Sequence, residues 1–331
     1  MKKQRKVEYF KLIYICKWYT FSCILLIMAF FSAIRFFGDG PDYYEYKRLF
    51  LYDITSRGSL EPAYEVIRKI NDIISPESVF WVFLFSALAA MILKIKAFTK
   101  ITKYPIRVTI YCLLSLYFIH EYTQIRAAVS IGIFLLSIRD IYSNRPKRYF
   151  FKMILASCFH YSAIMMLPCW IYIHLFKKKK YYIITPIIGF FIALIFGANK
   201  ELMRLIFIVE EFLDLNKSGN VSDFIKPYNL KYLISLFTLY IIYRIVPEND
   251  KKNIYLFRIY SFALCCFYFI LPAQLPVMAV RFAEFYTPVL FIVYINCYYY
   301  IHTKTKRFLY ITFLHGYVLL YLYASLNTTL L

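Results

Sequence analysis

Charge is scarce in this sequence. Of 331 residues, Asp, Glu, Lys and Arg together supply 18%, only 19 residues are acidic, and glycine occurs 8 times. A soluble domain is about a quarter charged, so this scarcity beside 61% hydrophobic residues excludes a water-soluble globule, and disordered and fibrous classes with it. With so few glycines and no GxxxG face, glycine seams do not dominate helix packing; 34 tyrosines and 33 phenylalanines supply aromatic bulk instead. The cysteines Cys16, Cys23, Cys112, Cys158, Cys169, Cys265, Cys266 and Cys297 lie in apolar stretches without C-x-x-C or metal-type spacing, and read as buried small hydrophobes. Walker, Rossmann and G-x-S-x-G patterns are missing. No D-x-D occurs, and its nearest counterpart, Glu248-Asn249-Asp250, falls on the cytoplasmic side by the topology below. Neither a metal nor another cofactor is expected.

What is present is a series of apolar runs. A spanning helix needs about 20 mostly apolar residues, and such runs, some of them short, cover roughly 12–34, 78–93, 105–120, 124–142, 149–158 with 161–176, 181–197, 229–246, 254–271, 283–301 and 308–325. The basic start Met-Lys-Lys-Gln-Arg-Lys runs into the first of these without an A-x-A-like cleavage site, so Leu12 to Ile34 reads as an uncleaved first span with a cytoplasmic N-terminus. In a soluble chain the excess of Lys and Arg, +21, would suggest a nucleic-acid partner. In a membrane chain it sets topology, and no nucleic acid is expected.

Basic clusters at Lys94–Arg107, Arg139–Lys152, Lys177–Lys180, Arg244–Arg258 and Lys304–Arg307 should then be cytoplasmic. A single crossing between Phe150 and Phe176 would force every later cluster outside, so two short helical pieces that enter and return, turning near His160, are expected there. Irregular backbone at depth is tolerated only beside protein or a water-filled cavity, which makes this turn a candidate site wall. The expectation is one integral membrane domain over 1–331: an all-α polytopic protein of about 11 transmembrane or half-membrane helices, with extracytoplasmic loops at 35–77 and 199–231. Under this assignment cytoplasmic segments carry 27 basic and 4 acidic residues. In the first outer loop Pro62 suits a first helical turn, with Ala63, Val66, Ile67, Ile70 and Ile74 at helical spacing. In the second, Leu202, Leu205, Ile206, Val209, Phe212 and Leu213 oppose a charged face, as in a helix lying in the interface plane.

The polar residues of the outer side suggest chemistry. Arg126 opens an apolar helix after His120-Glu121-Tyr122-Thr123-Gln124; a cation costs about 2.5–3.5 kcal/mol at mid-bilayer and needs a partner. It reads either as a boundary arginine paired with Glu121 or as a phosphate clamp with Gln124 adding amide contacts. His160 reads either as a satisfied core histidine or as an ionisable group at a break in a helix. Arg281 either pairs with Glu284 or makes a second phosphate contact. Asp39 and Asp42, in the Gly/Pro turn after the first span, are solvated turn residues or general bases.

Taken in order, Arg35-x-x-Gly38-Asp39 with Tyr43 and Tyr44, Glu61-Pro62-x-Tyr64, Gln124-Ile125-Arg126 with Ala127 and Ala128, and Phe159-His160-x-Ser162-Ala163 resemble the EpsG-type family of Wzy-like bacterial polysaccharide polymerases of O-antigen, capsule and exopolysaccharide assembly. Arg281 with Tyr286 resembles its C-terminal element. The resemblance implies a glycosyltransferase-C-like fold in the bacterial inner (plasma) membrane. It implies a metal-independent glycosyltransferase that moves a growing glycan from undecaprenyl pyrophosphate to a new lipid-linked oligosaccharide on the outer face. A chain-length regulator and a flippase are the implied partners. Asp39, His160 and Arg126 are then the catalytic candidates. Arg281, Gln124, Asp42, Arg35, Tyr44, Glu61 and Tyr64 are the candidates for substrate binding. Ala127-Ala128-Val129 departs from the family's usual Ala/Leu-rich continuation, and Asp42 is an extra acid in the first loop, so both aspartates stay open as the base. Competing classes are a flippase or transporter of lipid-linked oligosaccharide, which usually shows paired repeats that are not seen here; an O-acyltransferase, which needs a cytosolic donor path; and an O-antigen ligase, which shares the donor.

Overall fold

In a computed structural model, residues 2–40, 42–51, 61–176, 178–197, 228, 230–271 and 276–330 are described, and these are helical throughout apart from short turns. The helices are α1 (Lys2–Ala33), α2 (Tyr43–Leu51), α3 (Pro62–Ile74), α4 (Phe80–Ile101), α5 (Pro105–Leu116), α6 (Ile125–Tyr142), α7 (Pro146–Phe159), α8 (Leu167–Leu175), α9 (Tyr181–Gly197), α10 (Leu230–Ile245), α11 (Lys251–Ile270), α12 (Pro276–Tyr298) and α13 (Lys304–Leu330). A π-helical turn, Phe118–Thr123, follows α5, and a 3-10 turn, Tyr161–Met166, joins α7 to α8. The apolar runs of the sequence all become helix, apart from a few terminal residues. Among the described residues, Phe80–Ile101, Lys251–Ile270 and Lys304–Leu326 are long and apolar enough to cross a membrane, and Trp18–Ala33, Pro105–Leu116, Tyr161–Leu175 and Tyr181–Ile195 form shorter apolar helices. The interface helix expected around 202–214 lies outside the described residues.

Local sequence explains most boundaries. Pro62, Pro105, Pro146 and Pro168 stand in first helical turns, where a missing N–H costs nothing. Asp250 caps α11, its side chain accepting from the Asn253 N–H at 3.1 Å. The helical piece that enters from Pro146 breaks at His160, whose extended backbone (φ −158°, ψ 117°) ends α7. Hydroxyls serve the carbonyls around this break: Ser130 Oγ donates to Ala156 O at 2.9 Å and Tyr149 OH to Met166 O at 2.5 Å. The rings of Tyr149 and Trp170 lie 5.4 Å apart, so α7 and α8 run antiparallel and their outer ends, Arg145 and Lys178, share one end of the bundle.

Two features depart from the sequence expectation. Lys94 does not belong to a solvated basic loop: α4 continues to Ile101, and Lys94 is buried within it, paired with the equally buried Glu121 of the π-helical turn. The first polar loop also holds two helices rather than one, because Tyr46, Leu49 and Phe50 bury one side of α2.

The core mixes aromatic bulk with one close seam. Tyr64, Tyr117, Tyr122, Tyr149, Tyr182, Tyr268, Tyr286 and Tyr294 are among the largest fully buried side chains. Between α4 and α6, however, buried Ala87, Ala90, Ala127, Ala128 and Ser130 permit close approach, and a Cβ on Gly132 would meet the Leu93 Cβ at 2.7 Å. Gly132→Val is therefore expected to destabilise the purified protein by about 1–3 kcal/mol, read as a lower melting temperature; an unchanged midpoint would mean that the seam opens without cost.

Candidate active site

The site is built at the end of the bundle where α1 and α7 finish and α4, α6 and α12 begin. Glu61 is its centre. It precedes Pro62 as the N-cap residue of α3, its carbonyl receiving the N–H groups of Tyr64 and Glu65 at 2.8 and 3.0 Å. Tyr64 anchors that turn: its hydroxyl donates to Ser86 Oγ of α4 at 3.1 Å, and its ring meets Phe159 edge-on at 6.2 Å. Each side chain of the Glu61-Pro62-x-Tyr64 motif thus has a job in presenting the Glu61 carboxylate.

Both carboxylate oxygens are used. Oε2 accepts from Arg126 Nη1 at 2.6 Å and Oε1 from His160 Nδ1 at 2.9 Å. Glu61 is almost fully buried, whereas a quarter of the Arg126 side chain is exposed. Arg126 is further held by Tyr46 of α2, its Nε donating to the hydroxyl at 3.4 Å and its guanidinium lying 5.3 Å from the ring centre. The His160 ring lies parallel to that of Phe285 on α12, with centroids 6.1 Å apart.

An ionised carboxylate only accepts hydrogen bonds, so the contact with Glu61 places a proton on His160 Nδ1 and leaves Nε2 as the proton acceptor of the neutral ring. Burial, the largest influence on Glu61, pushes its carboxyl up. The His160 hydrogen bond and the Arg126 charge outweigh burial and hold the carboxyl below its ordinary range. Such a group stabilises the fold above the ordinary carboxylate range, and that contribution is lost only as pH falls through the lowered value.

Asp42 and Arg281 complete the rim. Asp42 is half-buried, and burial raises its carboxyl despite the opposing charges of Arg281 and Arg126. Arg281 is exposed at the start of α12 and makes no ion pair among the described residues. Glu284 is buried on the same helix, near the Gln124 side chain. The site therefore gathers Glu61, Arg126, His160, Asp42, Arg281 and Gln124.

Three of the other expected residues stand apart. Arg35, left-handed at φ 55°, turns inward at the end of α1; its guanidinium lies 4.0 Å from the Tyr122 ring centre, and Nη1 donates to the Tyr122 carbonyl at 2.5 Å. The Tyr122 hydroxyl accepts from Phe37 N at 2.9 Å and donates to Gly38 O at 2.6 Å. Gly38 itself sits at φ 106°, where a side chain would be strained. The Arg35-x-x-Gly38 motif therefore shapes a turn that Tyr122 clamps. Asp39 is exposed and accepts from the exposed Tyr44 hydroxyl at 3.0 Å.

Sequence reasoning missed Tyr46, Tyr122 and Phe285, and of its two readings of Arg126 the one that paired it with Glu121 names an acid other than the one it meets. Glu121 belongs to Lys94, with His120 Nδ1 3.3 Å from the same ammonium, and Arg126 belongs to Glu61. The signal for Tyr46 was available as the helical spacing of Tyr46, Leu49 and Phe50; nothing local announces the others.

No curated protein and no solved structure matches the chain. The model of the EpsG family matches residues 18–330, nearly its whole length, and this chain therefore belongs to the EpsG family, whose members are Wzy-like polysaccharide polymerases.

Proposed function

We propose that the protein polymerises polysaccharide repeat units on the outer face of the plasma membrane, moving a glycan from undecaprenyl pyrophosphate to the hydroxyl of a new lipid-linked unit. The observation that carries this reading is the chain of contacts Arg126–Glu61–His160 at one end of the bundle, which sets a phosphate-binding fork beside an oriented imidazole. In the reaction the bond from the donor's anomeric carbon to the pyrophosphate oxygen breaks, and its electron pair leaves with the pyrophosphate. The acceptor hydroxyl oxygen bonds to the anomeric carbon, and its proton passes to His160 Nε2. Glu61 steadies the imidazolium that forms, as a buried carboxylate does in a catalytic triad. Arg126 and Arg281 stabilise the charge that grows on the leaving group.

The excess of basic residues at the other end supports an outward-facing site and a cytoplasmic N-terminus. The α7–α8 pair then enters and returns from the cytoplasmic side, with His160 at its tip. Deleting the gene in the source bacterium should collapse its polysaccharide size ladder to single repeat units, with the ladder restored by wild type and not by Arg126→Ala at equal membrane abundance. Repeat units trapped on the cytoplasmic leaflet would instead indicate flipping, and an unchanged ladder would overturn the assignment to that polymer.

A further inference from the structure

A cavity of about 670 Å³ opens at the end of the bundle opposite the candidate active site, where the turn before α9, the end of α10 and the first turns of α11 meet. Chain direction places it there. α7 rises from Pro146 to His160, and α8 descends beside it to the lysines that precede α9. Lys178, Lys179, Lys180, Lys251 and Arg258 line this space against one carboxylate, Glu248.

The positive-inside tendency accounts for a basic rim, but not for five cations converging on one concave volume from separate segments. Two of them are locked by backbone. Lys179 Nζ donates to the carbonyls of Tyr243 and Val246, both at 2.5 Å, and Arg258 Nη1 to the carbonyl of Ile173 at 3.1 Å. These bonds serve carbonyls at or near the ends of α10 and α8 and hold the two charges in place. Lys178, Lys180 and Lys251 make no ion pair among the described residues, so these three charges are left without a bonded carboxylate.

We propose that this cavity binds a phosphate-bearing anion of more than one negative charge, a lipid phosphate headgroup or a soluble diphosphate. Its volume falls in the range of small-molecule sites, about 300–1,000 Å³, and its cations offer charge-assisted hydrogen bonds to phosphate oxygens. Exposed rings of Tyr181 and Tyr240 near this end suit the level of the membrane interface, where lipid phosphates lie. The site is independent of the glycan chemistry proposed above.

The test uses the purified full-length protein in phosphatidylcholine nanodiscs, titrated with inorganic pyrophosphate, and in matched nanodiscs that include phosphatidic acid, with melting temperature as readout. The cavity variant is Lys178→Gln with Lys251→Gln, which spares the two locked cations. Lys304→Gln with Lys306→Gln, at the same end but outside the cavity, is the control, and Lys251→Gln alone replaces the double variant if the latter does not fold. At least one probe should stabilise the wild type and the control, with an apparent affinity about tenfold or more weaker in the cavity variant. Stabilisation by pyrophosphate alone assigns a soluble ligand and by phosphatidic acid alone a lipid headgroup, and either upholds the site. No stabilisation of the wild type by either probe, or equal losses in the cavity and control variants, would overturn it.

Discussion

His160→Ala is expected to lower polymer formation by about 10²–10⁴-fold, the usual contribution of a positioned general base, while the protein remains in the membrane at its normal level. The ring is held by Glu61 on one nitrogen and lies against Phe285, so its replacement removes a proton acceptor without removing a helix contact of comparable size. Glu61→Gln is the companion variant. Its amide keeps the shape of the carboxylate but can offer an N–H to Nδ1, which favours the tautomer whose free lone pair points the wrong way, and it leaves Arg126 without its counter-charge. Both variants should be measured as rates of chain extension on purified lipid-linked repeat units across pH. Wild-type activity should fall on the acid side as the imidazole becomes charged, and the residual activity of His160→Ala should lack that limb. A residual rate that keeps the same acid limb would remove His160 from the proton transfer and turn attention to Asp42, the half-buried carboxyl that feels the charges of Arg281 and Arg126.

Lys94→Met should destabilise the fold by about 3–5 kcal/mol, because it strands a buried carboxylate. Lys94 and Glu121 are both almost fully buried and bonded to one another, with His120 beside them. Replacing both partners, Lys94→Met with Glu121→Gln, should recover most of the loss, since removing a buried pair together is far less costly than breaking it. Thermal unfolding of the purified protein in detergent reads both. The pair also ties α4 to the π-helical turn that delivers Tyr122 to the Arg35 turn and leads into Arg126, so Lys94→Met should depress chain extension as well. A single variant as stable as wild type would show that Lys94 and Glu121 do not depend on each other.

The membrane class, the position of nearly every helix and the break at His160 were legible in the chain, because hydropathy, proline and charge clusters act over one or two helical turns. The helix α2 was legible in principle from Tyr46, Leu49 and Phe50, but a turn-rich opening with Gly38, Gly40 and Pro41 drew attention to the loop. Among the site residues, the motifs located Glu61, Arg126 and His160 but did not reveal that they touch. Arg35 illustrates the converse: a charged residue in a recognisable motif lies in a cage of Tyr43, Phe83 and Tyr122, where it organises backbone.

Sequence by itself determined that this protein lives in a membrane and roughly where most of its helices lie. Only the tertiary structure decided which acid belongs to which base. Glu61 meets Arg126 across 65 residues and His160 across 99, while the nearer acid, Glu121, is taken by Lys94 from another helix. The physical reason is that helix formation responds to neighbours a few positions away, whereas a buried charge in a low-dielectric interior must find its partner wherever packing brings one, and that choice is made between helices rather than along them.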